Sequence, residues 1–448
     1  GARVYAGTQN LHGAIRFRAT SVGSETALAR IVELVRQAQG SRAPIQALAD
    51  RITAVFVPIV LMIATATFVG WFALAGGGSA EAMVHAVAVL IIACPCALGL
   101  ATPTAIMVGT GRAAELGILV REAEALEQLA RTRTVILDKT GTLTRGKPEV
   151  VQVVTRSLTE EQALRLAASV ERNSEHPIAE AIVRAATKRG IQPAEAGGFR
   201  ATSGKGVVAT VEGQTVLVGT LRLMQEQGVS MNGVVEPAEA FAQDGKTTVV
   251  LSVDGAAEAV FALADTLKPE ARNAVARLKS LVREVWMITG DNEATAQSIA
   301  RAVEIENVLA GVLPEDKASK VVELQRDEAS RPVAMVGDGI NDAPALAQAD
   351  VGIAMGTGTD IAVEAGDVTL MKGDLNGVPD AILLGRAVLA NIKQNLFFAF
   401  VYNTLGIPLA ALGFLSPIIA SAAMAMSSVS VVSNALRLRR VKVEAPVN

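Results

Sequence analysis

Four long apolar runs constrain this chain more than any other feature. They cover roughly residues 52–75, 82–108, 396–415 and 417–435, and none contains Asp, Glu, Lys or Arg. A bilayer span needs about 20 such residues, and a buried soluble helix rarely stays uncharged for so long. The chain is therefore expected to cross a membrane in two helical hairpins. Loop charge orients them. The connections 76–81 and 413–416 carry no Lys or Arg, whereas 112–393 holds most of the basic residues and Arg437, Arg439 and Arg440 follow the last run. The large insert between the hairpins is expected on the cytoplasmic side.

At 448 residues there is room for about two to four domains. Half the residues are hydrophobic, which suits a mixed membrane and soluble architecture. A net charge of -3, no basic tract and only 3% aromatic residues exclude a nucleic-acid binder. Cys94 and Cys96 are the two cysteines, two positions apart, so no disulfide framework is expected. No secretory signal is expected at the start of the sequence. Leu28, Ile31, Val32 and Val35 form an apolar helical stripe ahead of the first span.

Within the insert, 134–137 reads as a short apolar strand ending on Asp138. From about residue 265, strands at 285–288, 333–336 and 351–355 alternate with helical spacing at 269–281, 292–303 and 317–325. Alternation of this kind predicts a parallel, doubly wound α/β sheet. The stretch 148–264 mixes strands with Gly-rich turns and reads as a domain inserted into it.

Polar groups gather where those strands end. One end reads D-K-T-G-T (138–142), a second T-G-D-N (289–292) and a third G-D-G-I-N-D-A-P (337–344). Ligands bind at the carboxyl ends of strands in such sheets. A carboxylate there serves as a nucleophile or as a ligand of magnesium, which prefers oxygen and shares itself with phosphate. Lys317 can neutralise a transferring phosphoryl group, while Thr289 and glycine N–H groups can bind its oxygens.

These three motifs resemble the P-type ATPases. The resemblance implies ATP and Mg2+ as cofactors, and Asp138 as the residue that is phosphorylated. It implies Lys139, Thr140, Thr289, Gly290, Asp291, Lys317 and Asn341 around the reacting phosphoryl group. Magnesium would be held by Asp138, Thr140, Asp338 and Asp342. Phosphatases of this fold usually carry a second Asp two residues after the nucleophile. Here that position is Thr140, so an aspartyl phosphate has no built-in base to hydrolyse it. In the inserted domain, Glu171, His176, Gly204 and Gly206 resemble the nucleotide site of the heavy-metal branch, though the residue after Gly219, often Asn there, is Thr220.

Cys94-Pro95-Cys96 sits within the second span. Pro95 removes a backbone donor and breaks the helix, and irregular backbone at that depth lines protein or a cavity. Two thiols at a break point to an ion site. The motif is similar to the C-P-C of metal-pumping ATPases. Tyr402-Asn403, with Met424 and Ser428, matches the Y-N and M-x-x-S-S patterns of the copper(I) branch. The resemblance therefore implies Cys94, Cys96, Tyr402, Asn403, Met424 and Ser428 as ligands of transported Cu+, with Ag+ an equivalent soft ion. No Asp, Glu or Lys lies in 396–435 to balance a divalent ion.

The resemblance implies an integral protein of a bacterial plasma (inner) membrane, with lipid, ATP and a soluble copper carrier as partners. Its domains would be an actuator remnant (1–43), two spans (44–111), a HAD-like phosphorylation domain (112–147 and 265–385), a nucleotide-binding domain (148–264), and two spans with a tail (386–448). The family's first two spans, earlier amino-terminal parts and T-G-E dephosphorylation loop are expected to be missing. The rival readings are a zinc, cadmium or lead pump, a membrane-tethered phosphatase and a non-catalytic metal-binding membrane protein.

Overall fold

The structure is a computed structural model that describes residues 44–73, 78–174, 176–202, 205–356 and 364–442, with isolated positions among 16–40. Most of 1–43, including all but Val32 of the apolar stripe, and Gly204 lie outside the described residues.

In chain order the strands are β1 (Ile118–Val120), β2 (Thr134–Asp138), β3 (Thr144–Thr155), β4 (Ala196–Thr202), β5 (Gly206–Val211), β6 (Gln214–Gly219), β7 (Thr247–Val253), β8 (Ala256–Leu267), β9 (Glu284–Ile288), β10 (Asn307–Leu309), β11 (Val333–Gly337), β12 (Val351–Met355) and β13 (Val368–Leu370). Seven form one sheet in the order β1-β13-β12-β11-β2-β9-β10. Its central strands are buried along their whole length, as expected where helices cover both faces. The pairing is parallel as expected, except that β1 joins β13 antiparallel at one edge. Helices Ala271–Leu281, Glu293–Ala302 and Lys317–Gln325 follow the apolar spacing read from the sequence.

The other six strands form an antiparallel sheet in the order β3-β8-β7-β6-β5-β4. Its apolar faces are covered on one side by helices Glu160–Glu171 and Pro177–Lys188, and on the other by Leu221–Glu226 and Val235–Gln243. β3 leaves the seven-stranded unit and β8 returns to it, and the two pair with each other.

Among the described residues, three helical segments are long and apolar enough to cross a membrane: Pro44–Ala73, Ser79–Glu115 and Pro417–Arg440. The second is interrupted, ending one helix at Ile92 and starting the next at Cys96. The expected third span lies on a 35-residue helix, Gly377–Ala411, that begins among the core residues of the seven-stranded unit. Gln394, Asn395, Tyr402 and Asn403 dilute its apolar stretch, so it does not qualify on composition alone. It packs against the other helices through small residues that let backbones approach. A Cβ on Gly406 would overlap the Ile92 side chain, and one on Gly109 would meet Val388 at 2.5 Å.

Candidate functional site

Parallel pairing brings the three motifs to one place. Asp138 ends β2 beside Ile288 of β9, and Leu137 lies beside Val336 of β11. T-G-D and G-D-G therefore start level with the nucleophile candidate. Asp138, Asp338 and Asp342 offer carboxylate oxygens that all lie within 4.8 Å of one another. Lys317, buried at the start of its helix, places Nζ 2.6 Å from Asp138 Oδ1 and 2.6 Å from Asp342 Oδ1. The other oxygen of Asp342 accepts from the N–H groups of Asp338 and Gly339, each at 3.2 Å.

This crowding shifts protonation. Burial, then the neighbouring Asp342, pushes Asp138 up to about 7 against the pull of Lys317. Burial and Asp342 push Asp338 up to about 6. Burial alone would lower Lys317, but Asp138 and Asp342 raise it overall. Such a set is over-supplied with negative charge and short of cations. An oxygen-only cluster of this kind fits magnesium. Gly141 completes the cradle: its φ is +71°, and a Cβ there would overlap the Asp338 carboxylate.

Other expected residues take different places. Lys139 Nζ pairs with Asp291 Oδ2 at 2.6 Å rather than with Asp138. The buried Thr289 hydroxyl accepts from Asp291 N at 3.1 Å, shaping the T-G-D turn. Gly290 is exposed beside it. Thr140 and Asn341 are exposed, and neither side chain has a hydrogen bond among the described residues.

In the membrane-length helices, Ile92 ends one half-helix and Cys96 starts the next. The two sulfurs are joined in a disulfide, with Cα atoms 5.4 Å apart. One local bridge of this kind is not a disulfide framework; the break at Pro95 brings both side chains together. Asn403 Nδ2 donates to Cys94 O at 3.4 Å, and Met424 packs in the apolar cluster that Cys94 adjoins. Asn403 Oδ1 is buried, with no hydrogen-bond partner among the described residues. Tyr402 instead faces Ser430, its hydroxyl 3.4 Å from Ser430 Oγ, and Ser428 is half-buried. The sequence reading missed Ser427, which is fully buried and whose hydroxyl has no partner among the described residues. The signal was available: three residues after Met424 lies on the same helical face as well as four. A cavity of about 220 Å³ opens beside Pro95, lined by Gln46, Asp50, Thr53 and Thr102.

Comparison with known proteins places this geometry. The haloacid dehalogenase-like hydrolase family matches residues 132–350. The copper-exporting P-type ATPase of Bacillus subtilis is 52% identical over 99% of this chain and 55% of that protein. The probable copper-exporting P-type ATPase V of Mycobacterium tuberculosis is 56% identical over 98% of this chain and 57% of that protein. The chain thus spans about half the length of these curated relatives. The crystal structure of a zinc-transporting PIB-type ATPase in the E2.Pi state superposes with a TM-score of 0.81 at 36% identity, over 94% of this chain and 68% of that one. This chain belongs to the PIB-type ATPases.

As a member of that family it is an integral membrane protein, and its seven-stranded unit is the HAD-like domain. In the six-stranded unit of this PIB-type ATPase, Glu171 closes its helix and is buried, which pushes it up to about 7 against a hydrogen bond from Ser174. His176 caps the next helix, its Nδ1 accepting from Ile178 N at 3.2 Å. Gly206 pairs with Gly219 across β5 and β6, where a Cβ on Gly206 would strike Val218 O. Close strand approach thus accounts for that glycine. The Thr220 hydroxyl accepts from Leu223 N at 3.2 Å as a helix cap.

Two further residues escaped the sequence reading. Lys268 donates to Gly373 O at 3.1 Å, is lowered by burial, and brings a second cation towards Asp338. The buried Thr144 hydroxyl lies 2.9 Å from Lys139 O and 2.5 Å from Asp265 Oδ2. It ties the strands that leave and re-enter the HAD-like domain to the turn after Asp138.

Proposed function

We propose that this chain carries the catalytic unit and part of the transport pathway of an ATP-driven copper(I) exporter. The observation that carries the ion assignment is the helix break at Cys94-Pro95-Cys96. In reduced form it offers two sulfur donors at a break whose Cys94 carbonyl Asn403 bonds and whose Cys94 adjoins the cluster of Met424, with no carboxylate in 396–435. Soft sulfur donors favour monovalent copper, and silver would bind alike. The named copper-exporting relatives support the same reading at 52% and 56% identity, against 36% for the zinc-transporting structure.

In this reading ATP binds at the six-stranded unit, with Glu171 and His176 towards the base. Ionised Asp138 attacks the γ-phosphorus: the carboxylate–phosphorus bond forms as the bond to ADP breaks. Lys317 and Thr289 take the charge on the phosphoryl oxygens, and Lys139 is held to Asp291 beside them. Asp138, Asp338 and Asp342 would hold magnesium, with the neighbouring Thr140 as a further candidate, and the ion would screen the transferring charge. The exposed Thr140 supplies no base, so the phosphoenzyme persists until another group assists water. The HAD-like domain faces the cytoplasm of a bacterial inner membrane, as the basic segments indicate. A soluble carrier supplies copper, and the cavity beside Pro95 offers the ion a way to the cysteines.

The test is acid-stable labelling by γ-labelled ATP in the full-length protein under reducing conditions. Cu(I) should stimulate it, and the Cys94→Ser, Cys96→Ser double variant should lose that response while still binding nucleotide. Preferential stimulation by Zn(II) would overturn the copper assignment.

A further inference from the structure

Two asparagines on one helix hold the two sides of the metal-site break. Asn403 donates to the carbonyl of Cys94, just before Pro95. Asn395, eight residues earlier on the helix Gly377–Ala411, donates to the carbonyl of Ala101 at 3.0 Å, in the half-helix that Cys96 starts. A helix break interrupts the backbone ladder that would otherwise keep two half-helices in register. Here an unbroken neighbour spans the gap, with one amide on Cys94 in the break itself and one on the half-helix that follows.

The lower amide is itself fixed. Asn395 is fully buried; its Oδ1 accepts from Asn434 Nδ2 at 2.9 Å, and its Nδ2 also reaches Asn391 Oδ1 at 3.2 Å. Asn391 in turn donates to Asn434 O at 2.8 Å, and Arg437 donates to Asn434 Oδ1 at 3.1 Å. Every side-chain amide group of Asn391, Asn395 and Asn434 is satisfied. A fully satisfied buried network rigidifies its surroundings. Packing alone would not require it, since an apolar side chain would fill the same space between helices.

Resting on the copper reading above, we infer that Asn395 is a positioning residue for the transported ion. It holds the Cys96 half-helix at a set height and angle to Asn403, so that both sulfurs meet one ion. The same helix continues to Gly377 in the core of the HAD-like domain. Motion of that domain is therefore delivered to the break and to the half-helix after it through one rod with two grips.

The experiment uses the full-length protein in lipid nanodiscs with reductant. It measures Cu(I) affinity by competition with a chelator, thermal unfolding, and phosphorylation by inorganic phosphate with magnesium but without copper. Asn395→Leu should weaken Cu(I) binding by roughly 10–100-fold, the range for residues that orient ligands. Copper-free phosphorylation in the presence of magnesium should stay within about twofold, as the phosphoryl site is untouched. Asn391→Leu removes a network partner but not the grip on Ala101, so it should lower thermal stability and keep the parent's copper affinity. If Asn395→Leu fails to fold, Asn395→Ser tests the same point, being too short to reach Ala101 O. Parental affinity in either Asn395 variant, or an equal loss in Asn391→Leu, would overturn the inference. A parent protein that binds no Cu(I) would instead overturn the copper reading.

Discussion

Lys317 Nζ lies 2.6 Å from Asp138 Oδ1 and 2.6 Å from Asp342 Oδ1, so one ammonium holds two buried carboxylates apart from solvent. Removing it leaves both uncompensated. Lys317→Met should therefore cost roughly 3–5 kcal/mol of stability without divalent cation, the range for breaking a buried pair. Magnesium should restore more stability to the variant than it adds to the parent, because the carboxylates then have no other cation. Thermal unfolding with and without Mg2+ checks this. Equal magnesium shifts in both proteins would show that the carboxylates do not share the ion.

Asp138→Asn removes one of those carboxylates and should act in the opposite sense on stability. The group is raised from 3.8 to about 7. A raised carboxyl favours the fold while protonated, so its contribution is present below pH 3.8 and lost as pH rises through about 7. The amide escapes that loss. At pH 8 without magnesium the variant should unfold at a higher temperature than the parent, with the gap closing towards pH 5. It should also give no acid-stable label from ATP, since an amide is a far poorer nucleophile. Persistent labelling would place the nucleophile elsewhere.

Gly141 sits at φ +71° with the Asp338 carboxylate where a Cβ would be. Gly141→Ala must distort the turn or move Asp338, at a cost of about 1–3 kcal/mol for the backbone alone. The sharper expectation is chemical: the magnesium concentration for half-maximal labelling should rise, while nucleotide binding by the six-stranded unit is unaffected. An unchanged magnesium requirement would show that Asp338 is not needed there.

Sequence patterns revealed the elements whose chemistry is local. The apolar strand before Asp138, the helix at 317–325 and the break at Pro95 all follow from adjacent residues. Relationships between distant segments were less legible. The pairing of Lys139 with Asp291 depends on β2 and β9 lying side by side. The antiparallel edge made by β1 uses only three residues, too few for a period. Ser427 was passed over for Ser428 because both spacings fit a helix face, and only burial separates them. The apolar run at 396–415 was legible, but not that its helix begins at Gly377, among core residues of the seven-stranded unit; Gln394, Asn395 and Asn403 lower the apolar signal there because they bond to neighbouring segments.

Glu171 offers a test of the nucleotide-binding unit that separates stability from function. Its carboxyl is raised from an ordinary 4.5 to about 7, chiefly by burial, with a hydrogen bond from Ser174 opposing. Between those values the folded chain holds a proton that the unfolded chain has released. Stability therefore falls as pH rises from about 4.5 through 7, and the loss is complete above that window. The total is at most about 3 kcal/mol, from the size of the shift. Glu171→Gln keeps the shape and removes the titration. The variant should unfold at a higher temperature than the parent at pH 8 and at nearly the same temperature at pH 5. If Glu171 meets the base of ATP, that gain comes with weaker nucleotide binding, because an ionised or shared-proton acceptor has been replaced by an amide. Calorimetric titration with ATP at pH 8 should then show reduced affinity despite the higher stability. Higher stability with parental affinity would leave Glu171 a buried structural acid and move the nucleotide site away from it. A parent whose stability does not change between pH 5 and 8 would show that the carboxyl is not raised at all.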